Sequence, residues 1–187
     1  RFYFLLLTFL SLSTVFAQDK PTIYIDIPTQ QKPWNHIDWN ASPEQFQFAI
    51  VTDRTGGHRP GVFPTGIKKL NLLQPEFVMS VGDFIEGYTR DTVRLNQEWK
   101  EFNGFISQLE APFFYVPGNH DITNEVMEEK WEEMFGVFYY HFVYKDVLFL
   151  CLNSEDNLRG AGKGTIDDEQ YEYIKKVLEE NQDVKWT

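Results

Sequence analysis

The chain has 187 residues, enough for one domain with a real core, and its hydrophobic fraction of 42% and aromatic fraction of 17% exclude a disordered polymer. With 28 acidic against 17 basic side chains, the formal net charge of −11 argues against a protein that tracks a nucleic-acid backbone. A phosphate-bearing substrate stays compatible, because a bound cation can reverse the field inside one cleft.

Arg1 is followed by an uncharged, mostly apolar run over residues 2–16, closed by Val15-Phe16-Ala17. This is the pattern of a signal peptide cleaved after Ala17, so residues 1–17 are expected to be removed on export to the periplasm or the cell exterior. The run is shorter than the roughly 20 apolar residues a membrane span needs, so no stable span is expected. A first residue of Arg rather than Met leads us to expect an incomplete N-terminus. Cys151 is the single cysteine, which excludes an internal disulfide and leaves no lipid attachment point near the cleavage site. Its place in an apolar run predicts a buried strand residue.

Residues 18–45 carry Pro21, Pro28, Pro33 and Pro43, which break any helix and predict an extended lead-in. Trp34 and Trp39 are expected to pin it to the domain that follows, residues 46–187. There a regular rhythm begins. Apolar runs at 46–52, 77–81 and 113–116 end respectively in Asp53, in Gly82-Asp83 and in Pro117-Gly118-Asn119-His120-Asp121. Amphipathic stretches separate them, around 67–73 and over 92–109, where Val93, Leu95, Trp99, Phe102, Phe105, Ile106 and Leu109 recur at helical spacing. The strand ends lie 30 and 36 residues apart (53 to 83, 83 to 119), as βαβ units with right-handed crossovers require.

The pattern then changes. Residues 122–135 predict a helix with Thr123 as its N-cap. Residues 139–144 and 147–152 flank Lys145-Asp146 and predict an antiparallel hairpin. A loop with three glycines follows at 160–164, then a helix over 167–181 with Tyr171, Ile174 and Leu178 on one face. Residues 184–187 read as the opening of a further strand, so the domain is expected to be incomplete at its C-terminal end.

In an open α/β sheet the ligand site lies beyond the carboxyl ends of the strands. If the three strands are parallel, Asp53, Asp83, Asn119 and His120 converge on one sheet edge. Oxygen ligands with some imidazole suit Mn, Mg, Fe or Zn, and Asp83, second of the three, is the natural bridging carboxylate. Singly, each has a plainer reading. Asp53 and Gly82-Asp83 are also ordinary turn formers, and Asp121 is also a helix cap. The ordered conjunction of all three carries the argument.

The series Asp53, Gly82-Asp83-Phe84-Ile85-Glu86 and Gly118-Asn119-His120-Asp121 resembles the calcineurin-like metallophosphoesterase superfamily. The stretch from Asp53 through Arg54, Thr55, Gly56, Gly57, His58 and Arg59 to Pro60 resembles an exported bacterial branch of it. The resemblance implies an α/β fold of four layers, α/β/β/α with mixed sheets, around two divalent ions (Mn, Fe, Zn or Mg). It implies that Asp53 binds one ion, Asp83 bridges both and Asn119 binds the second, so that a metal-activated hydroxide attacks the phosphorus of a phosphoester substrate. His120 would lie beside the scissile phosphate and protonate the leaving oxygen, with Asp121 holding its ring. Thr55 stands where the family usually has a histidine ligand, so His58 bends back, or water fills the gap, or His58 is simply a surface residue. Arg54 and Arg59 are candidate phosphate clamps, or solvated loop residues. The family draws further histidine ligands from strands beyond Thr187, and neither His36 nor His141 matches them. Glu86 occupies the position of the tyrosine of purple acid phosphatases, with Tyr88 two residues too late. A catalytically degenerate binder of metal or of a phosphorylated ligand is the alternative, favoured by Thr55. A secreted scaffold domain is weaker, given the acidic residues at strand ends.

Overall fold

The computed structural model of the protein describes residues 23–38, 46–155 and 164–187. The signal-peptide reading, Trp39 and most of the glycine loop lie outside the described residues. In chain order the elements are β1 (Phe48–Val51), α1 (Val62–Leu73), β2 (Phe77–Ser80), α2 (Thr92–Ile106), β3 (Phe113–Phe114), α3 (Glu125–Phe135), β4 (Tyr140–Tyr144), β5 (Val147–Cys151) and α4 (Asp168–Glu180).

Strands β1, β2 and β3 form a parallel sheet in that order, with Phe48 opposite Phe77 and Val78 opposite Phe113. Side chains alternate across a strand, so neighbouring residues enter different cores. Val78 and Phe113 join Leu95, Trp99 and Phe102 of α2 and Trp131 of α3 on one face. Phe77 and Phe114 enter the other face, with Tyr140, Phe142 and Tyr144 of β4 and Phe149 and Cys151 of β5. A slip of one residue would exchange the two cores, which is why the register is strongly specified. The Phe77 ring stands edge-on to Phe114, Phe142, Tyr144 and Phe149 at centroid distances of 5.2–5.8 Å. That is the favoured geometry for aromatic pairs and locks the two sheets together.

The hairpin β4–β5 turns through Lys145 and Asp146, both at positive φ (47° and 61°), the backbone a two-residue hairpin turn demands. Its outer face meets α4: His141 Nδ1 lies 2.6 Å from the Tyr173 hydroxyl, and Val177 is buried. Helices, parallel sheet, hairpin and α4 therefore make the four layers the resemblance implied. Bridges from Tyr24 to Val143 (antiparallel) and from Val147 to Trp186 (parallel) extend the hairpin on both edges, giving it mixed character. Cys151 is a free, buried strand residue, and burial pushes its thiol up to about 12.

Three expectations need correction. The third strand has two residues rather than four, because beyond Phe114 its backbone turns to partners other than the β2 main chain. Tyr115 donates to the Pro33 carbonyl (2.9 Å), Asn35 donates to that of Phe113 (3.3 Å), and Val116 donates to the Ser80 hydroxyl (3.0 Å). Trp34 sits at that crossing, its ring 6.1 Å from Phe114 and 6.4 Å from Tyr140. Helix α3 starts at Glu125 with Asn124 as its cap; Thr123 is unavailable, since its hydroxyl donates to the Asn119 carbonyl (2.6 Å). On α4 the buried face is Gln170 and Val177, while Tyr171 and Leu178 are 56% and 43% exposed. Gln170 takes a core position because its amide satisfies both backbone groups of Asn153, at 2.8 and 2.6 Å.

Candidate active site

The three parallel strands deliver their exit loops to one edge of the sheet, and two glycines decide how closely the loops approach. A Cβ on Gly82 would overlap the backbone of Gly118, and one on Gly118 would overlap the Asp83 carboxylate and lie 2.7 Å from the Asp83 amide nitrogen. Only glycine permits that contact, so the Gly-Asp and Gly-Asn-His-Asp motifs are two halves of one joint. The first loop joins them. Asp53 donates its amide to the Gly82 carbonyl (3.4 Å), and Thr55 reaches the Asp83 carbonyl with its amide (3.2 Å) and its hydroxyl (3.1 Å).

Asp53 and Asp83 both lie in the left-handed region, at φ 50° and 62°. For a residue with a Cβ that backbone costs on the order of 1–2 kcal/mol, a strain that concentrates at functional sites. Asp83 accepts the His120 amide on Oδ1 (3.1 Å), and Asp53 accepts the Thr52 hydroxyl on Oδ2 (2.7 Å). Asn119 donates its side-chain Nδ2 to the Tyr88 hydroxyl (2.6 Å), which turns its amide oxygen away from Tyr88.

His120 is half-buried, with Nδ1 2.8 Å from the Glu86 carbonyl. A carbonyl only accepts, so Nδ1 carries the proton and Nε2 is the ring nitrogen left for chemistry. Nε2 lies under the first loop, 3.5 Å from where a Cβ on Gly56 would stand. The expectation that Asp121 holds this ring is overturned. Asp121 is fully buried and accepts three backbone amides instead, from Asp83 (2.8 Å), Phe84 (2.9 Å) and Gly118 (2.9 Å). Its carboxylate rivets the two loops from beneath, and the ring is oriented by Glu86. Burial, with a smaller push from the neighbouring Asp83 charge, raises the Asp121 carboxyl to about 7 against the downward pull of those amides.

Arg54 is not a phosphate clamp. Its side chain turns inward, donating to the Phe84 carbonyl (2.8 Å), pairing with Glu101 and lying 5.2 Å from the Phe105 ring centroid. Arg59 is exposed, and its carbonyl caps the start of α1 by accepting the Val62 amide (3.2 Å). His58 bends back towards the second loop, its Nδ1 2.7 Å from Glu86 Oε1. That hydrogen bond, and the attraction of an imidazolium, hold the Glu86 carboxyl below its ordinary range. Tyr88 is the residue that sequence reasoning set aside: its ring meets His120 edge-on at 4.7 Å and its hydroxyl meets Asn119. The signal available for it was its position directly after Gly87, in the loop that follows the Asp83 motif.

No group of three or more His, Cys, Asp or Glu side chains poised to hold a metal occurs among the described residues. The donors present are two carboxylates and an amide oxygen, with an imidazole beside them. They suit a hard or borderline divalent ion, and the glycine joint is a cradle that a Cβ would fill. The same residues lie inside a match to the sequence pattern described as calcineurin-like phosphoesterase, over residues 35–186.

The chain belongs to the calcineurin-like phosphoesterase family.

A relative within reach of sequence comparison is described as a probable glycerophosphodiester phosphodiesterase GpdQ, from Arcobacter nitrofigilis. It is 26% identical over 116 residues, which cover 60% of this chain and 40% of that protein. Among solved structures, a dimetal phosphatase from Danio rerio matches with a TM-score of 0.53 at 11% identity, covering 73% of this chain and 65% of the other. That likeness concerns the fold. This calcineurin-like chain thus spans less than two thirds of either protein's length.

Proposed function

We propose that the protein hydrolyses phosphoesters at a centre for two divalent cations, with Asp53, Asp83 and Asn119 as oxygen ligands from this chain and Asp83 between the two sites. The observation that carries the reading is the glycine joint, which fixes Asp83 and Asn119-His120 against each other at the carboxyl edge of a parallel sheet. Cations held there would supply positive charge to the phosphate oxygens and lower the pKa of the attacking water. His120 supplies the proton: with Nδ1 fixed on the Glu86 carbonyl, the protonated ring gives up its Nε2 proton to the departing oxygen as the bond to phosphorus breaks.

Membership of the family and the names of the two relatives, one a probable diesterase and one a dimetal phosphatase, support phosphoesters as the substrate class. Manganese, iron, zinc and magnesium are the candidate ions. Export, to the periplasm or the cell exterior, rests on the apolar run at residues 2–16 and the small residue at Ala17.

The test is turnover of p-nitrophenyl phosphate and its bis ester by the full-length protein with each ion, beside His120→Ala. The variant should keep its metal and lose most turnover, and the deficit should widen as the leaving group becomes more basic. Equal activity of variant and parent on an ester with a poor leaving group would refute the role of His120.

A second reading has one observation in its favour. Thr55 is buried with its hydroxyl on the Asp83 carbonyl, so the position offers no nitrogen to a cation. A member that binds metal or a phosphorylated ligand without turnover would bind the ions yet stay silent in every assay above.

A further inference from the structure

We infer that Tyr88 is a positioning residue for the Asn119 ligand, an inference that rests on the two-cation reading. An amide side chain can offer a cation either face by flipping, and only its oxygen binds. In the structure Asn119 donates Nδ2 to the Tyr88 hydroxyl at 2.6 Å, which turns the amide oxygen away from Tyr88.

The structure holds Tyr88 in place at a cost. The residue is 50% exposed, so burial does not fix it, and its φ of 47° is a left-handed conformation that a tyrosine rarely adopts. What fixes it is the loop. Gly87 donates its amide to Glu98 (2.9 Å) and its carbonyl accepts from Arg94 (3.3 Å), both on α2. A Cβ on Gly87 would overlap the His120 carbonyl and lie 2.8 Å from the Met127 terminal methyl. On the other side, the Thr89 carbonyl accepts from Asn124, the cap of α3 (3.2 Å). Glu86, Tyr88 and Thr89 thus each contact the segment from Asn119 to Met127, and Tyr88 meets both Asn119 and His120. A tyrosine that merely covered the loop would need its ring and not its hydroxyl. Strain retained at an exposed residue points to the contact it secures.

The experiment is calorimetric titration of the metal-free full-length protein with Mn²⁺, for the parent, Tyr88→Phe and Tyr88→Ala, with melting of the metal-free forms alongside. Tyr88→Phe should weaken one of the two Mn²⁺ equivalents by about 10-fold or more, the effect expected when a partner of a ligand is lost. Its metal-free melting temperature should match that of the parent. Tyr88→Ala should lose no more affinity at that site than Tyr88→Phe, because the hydroxyl makes the contact. Parent affinity in Tyr88→Phe overturns the inference and leaves the two-cation reading standing. So does an equal loss at both sites accompanied by a lower melting temperature. A parent that binds no Mn²⁺ overturns the two-cation reading and the inference with it.

Discussion

Asp121 offers the sharpest test of how the site is built, because two physical accounts of it diverge. If its carboxylate oriented the catalytic ring, Asp121→Asn would lower turnover and leave stability alone. In the structure the side chain gathers backbone instead, with Oδ2 accepting the amides of Asp83 and Gly118 and Oδ1 accepting that of Phe84. In Asp121→Asn the remaining oxygen can keep the two-donor position, and the new NH₂ then faces the Phe84 amide, donor against donor. One orphaned amide costs about 1–3 kcal/mol. For a chain of this length that lowers the melting temperature by roughly 2–12 °C. Asp121→Ala orphans all three amides and should cost on the order of 3–9 kcal/mol, a large part of a net stability of about 5–15 kcal/mol. The carboxyl also leaves a mark on the pH dependence. Its folded value, raised to about 7 by burial, lies above the roughly 3.9 of an unfolded aspartate. The folded state therefore holds this proton more tightly. Its contribution is fully present below about 3.9 and is lost as pH rises through about 7. Asp121→Asn should flatten that part of the profile. The assay is thermal melting of the metal-free protein between pH 4 and 8. Unchanged melting in Asp121→Asn, with turnover alone reduced, would refute the reasoning.

The remaining predictions concern the joint and the outer layer. Gly82→Ala and Gly57→Ala both place a Cβ at positive φ (88° and 103°), but only at Gly82 does that Cβ overlap backbone; at Gly57 nothing lies within 4 Å. The overlap adds about 1–3 kcal/mol, so Gly82→Ala should melt roughly 2–12 °C below Gly57→Ala, and equal melting would contradict the joint. On the β4 face that meets α4, partial burial holds the His141 imidazole below its ordinary value, against the upward pull of Glu180 and Asp26. The folded state thus favours neutral His141, and the stability this provides is present above about pH 6.5 and is lost as pH falls through the lowered value. Amide exchange in α4 should accelerate in acid more in the parent than in His141→Phe; identical acceleration would exclude His141 as the cause.

The strand exits were legible because the physics there is local. A short apolar run must end at a turn, and an Asp, a Gly-Asp and a Gly-Asn-His at three such turns, closing parallel strands, deliver their side chains to one edge wherever the helices pack. Asp53, Asp83 and Asn119 needed nothing more distant than that. Arg54 stands beside Asp53, yet its direction depended on Glu101 and Phe105, on a helix almost fifty residues away, and no pattern around residue 54 could report them. The two-residue length of β3 likewise depended on the Ser80 hydroxyl, which takes the Val116 amide where the ladder to β2 would continue.

Asp121 shows the limit most clearly. A carboxylate next in sequence to a histidine is explained equally well by holding the ring or by collecting amides, and the choice turns on what else can reach Nδ1. Glu86 reaches it with a backbone carbonyl, which every residue possesses and no sequence advertises. Once that carbonyl is in place, Asp121 is free to bind backbone on both loops, and the loops can press together as closely as Gly82 and Gly118 permit. Orientation of the His120 ring and rigidity of the loops that bear Asp83 and Asn119 are thereby carried by different groups. A substitution at Asp121 should accordingly be read first in stability, and one that displaces the Glu86 carbonyl first in turnover.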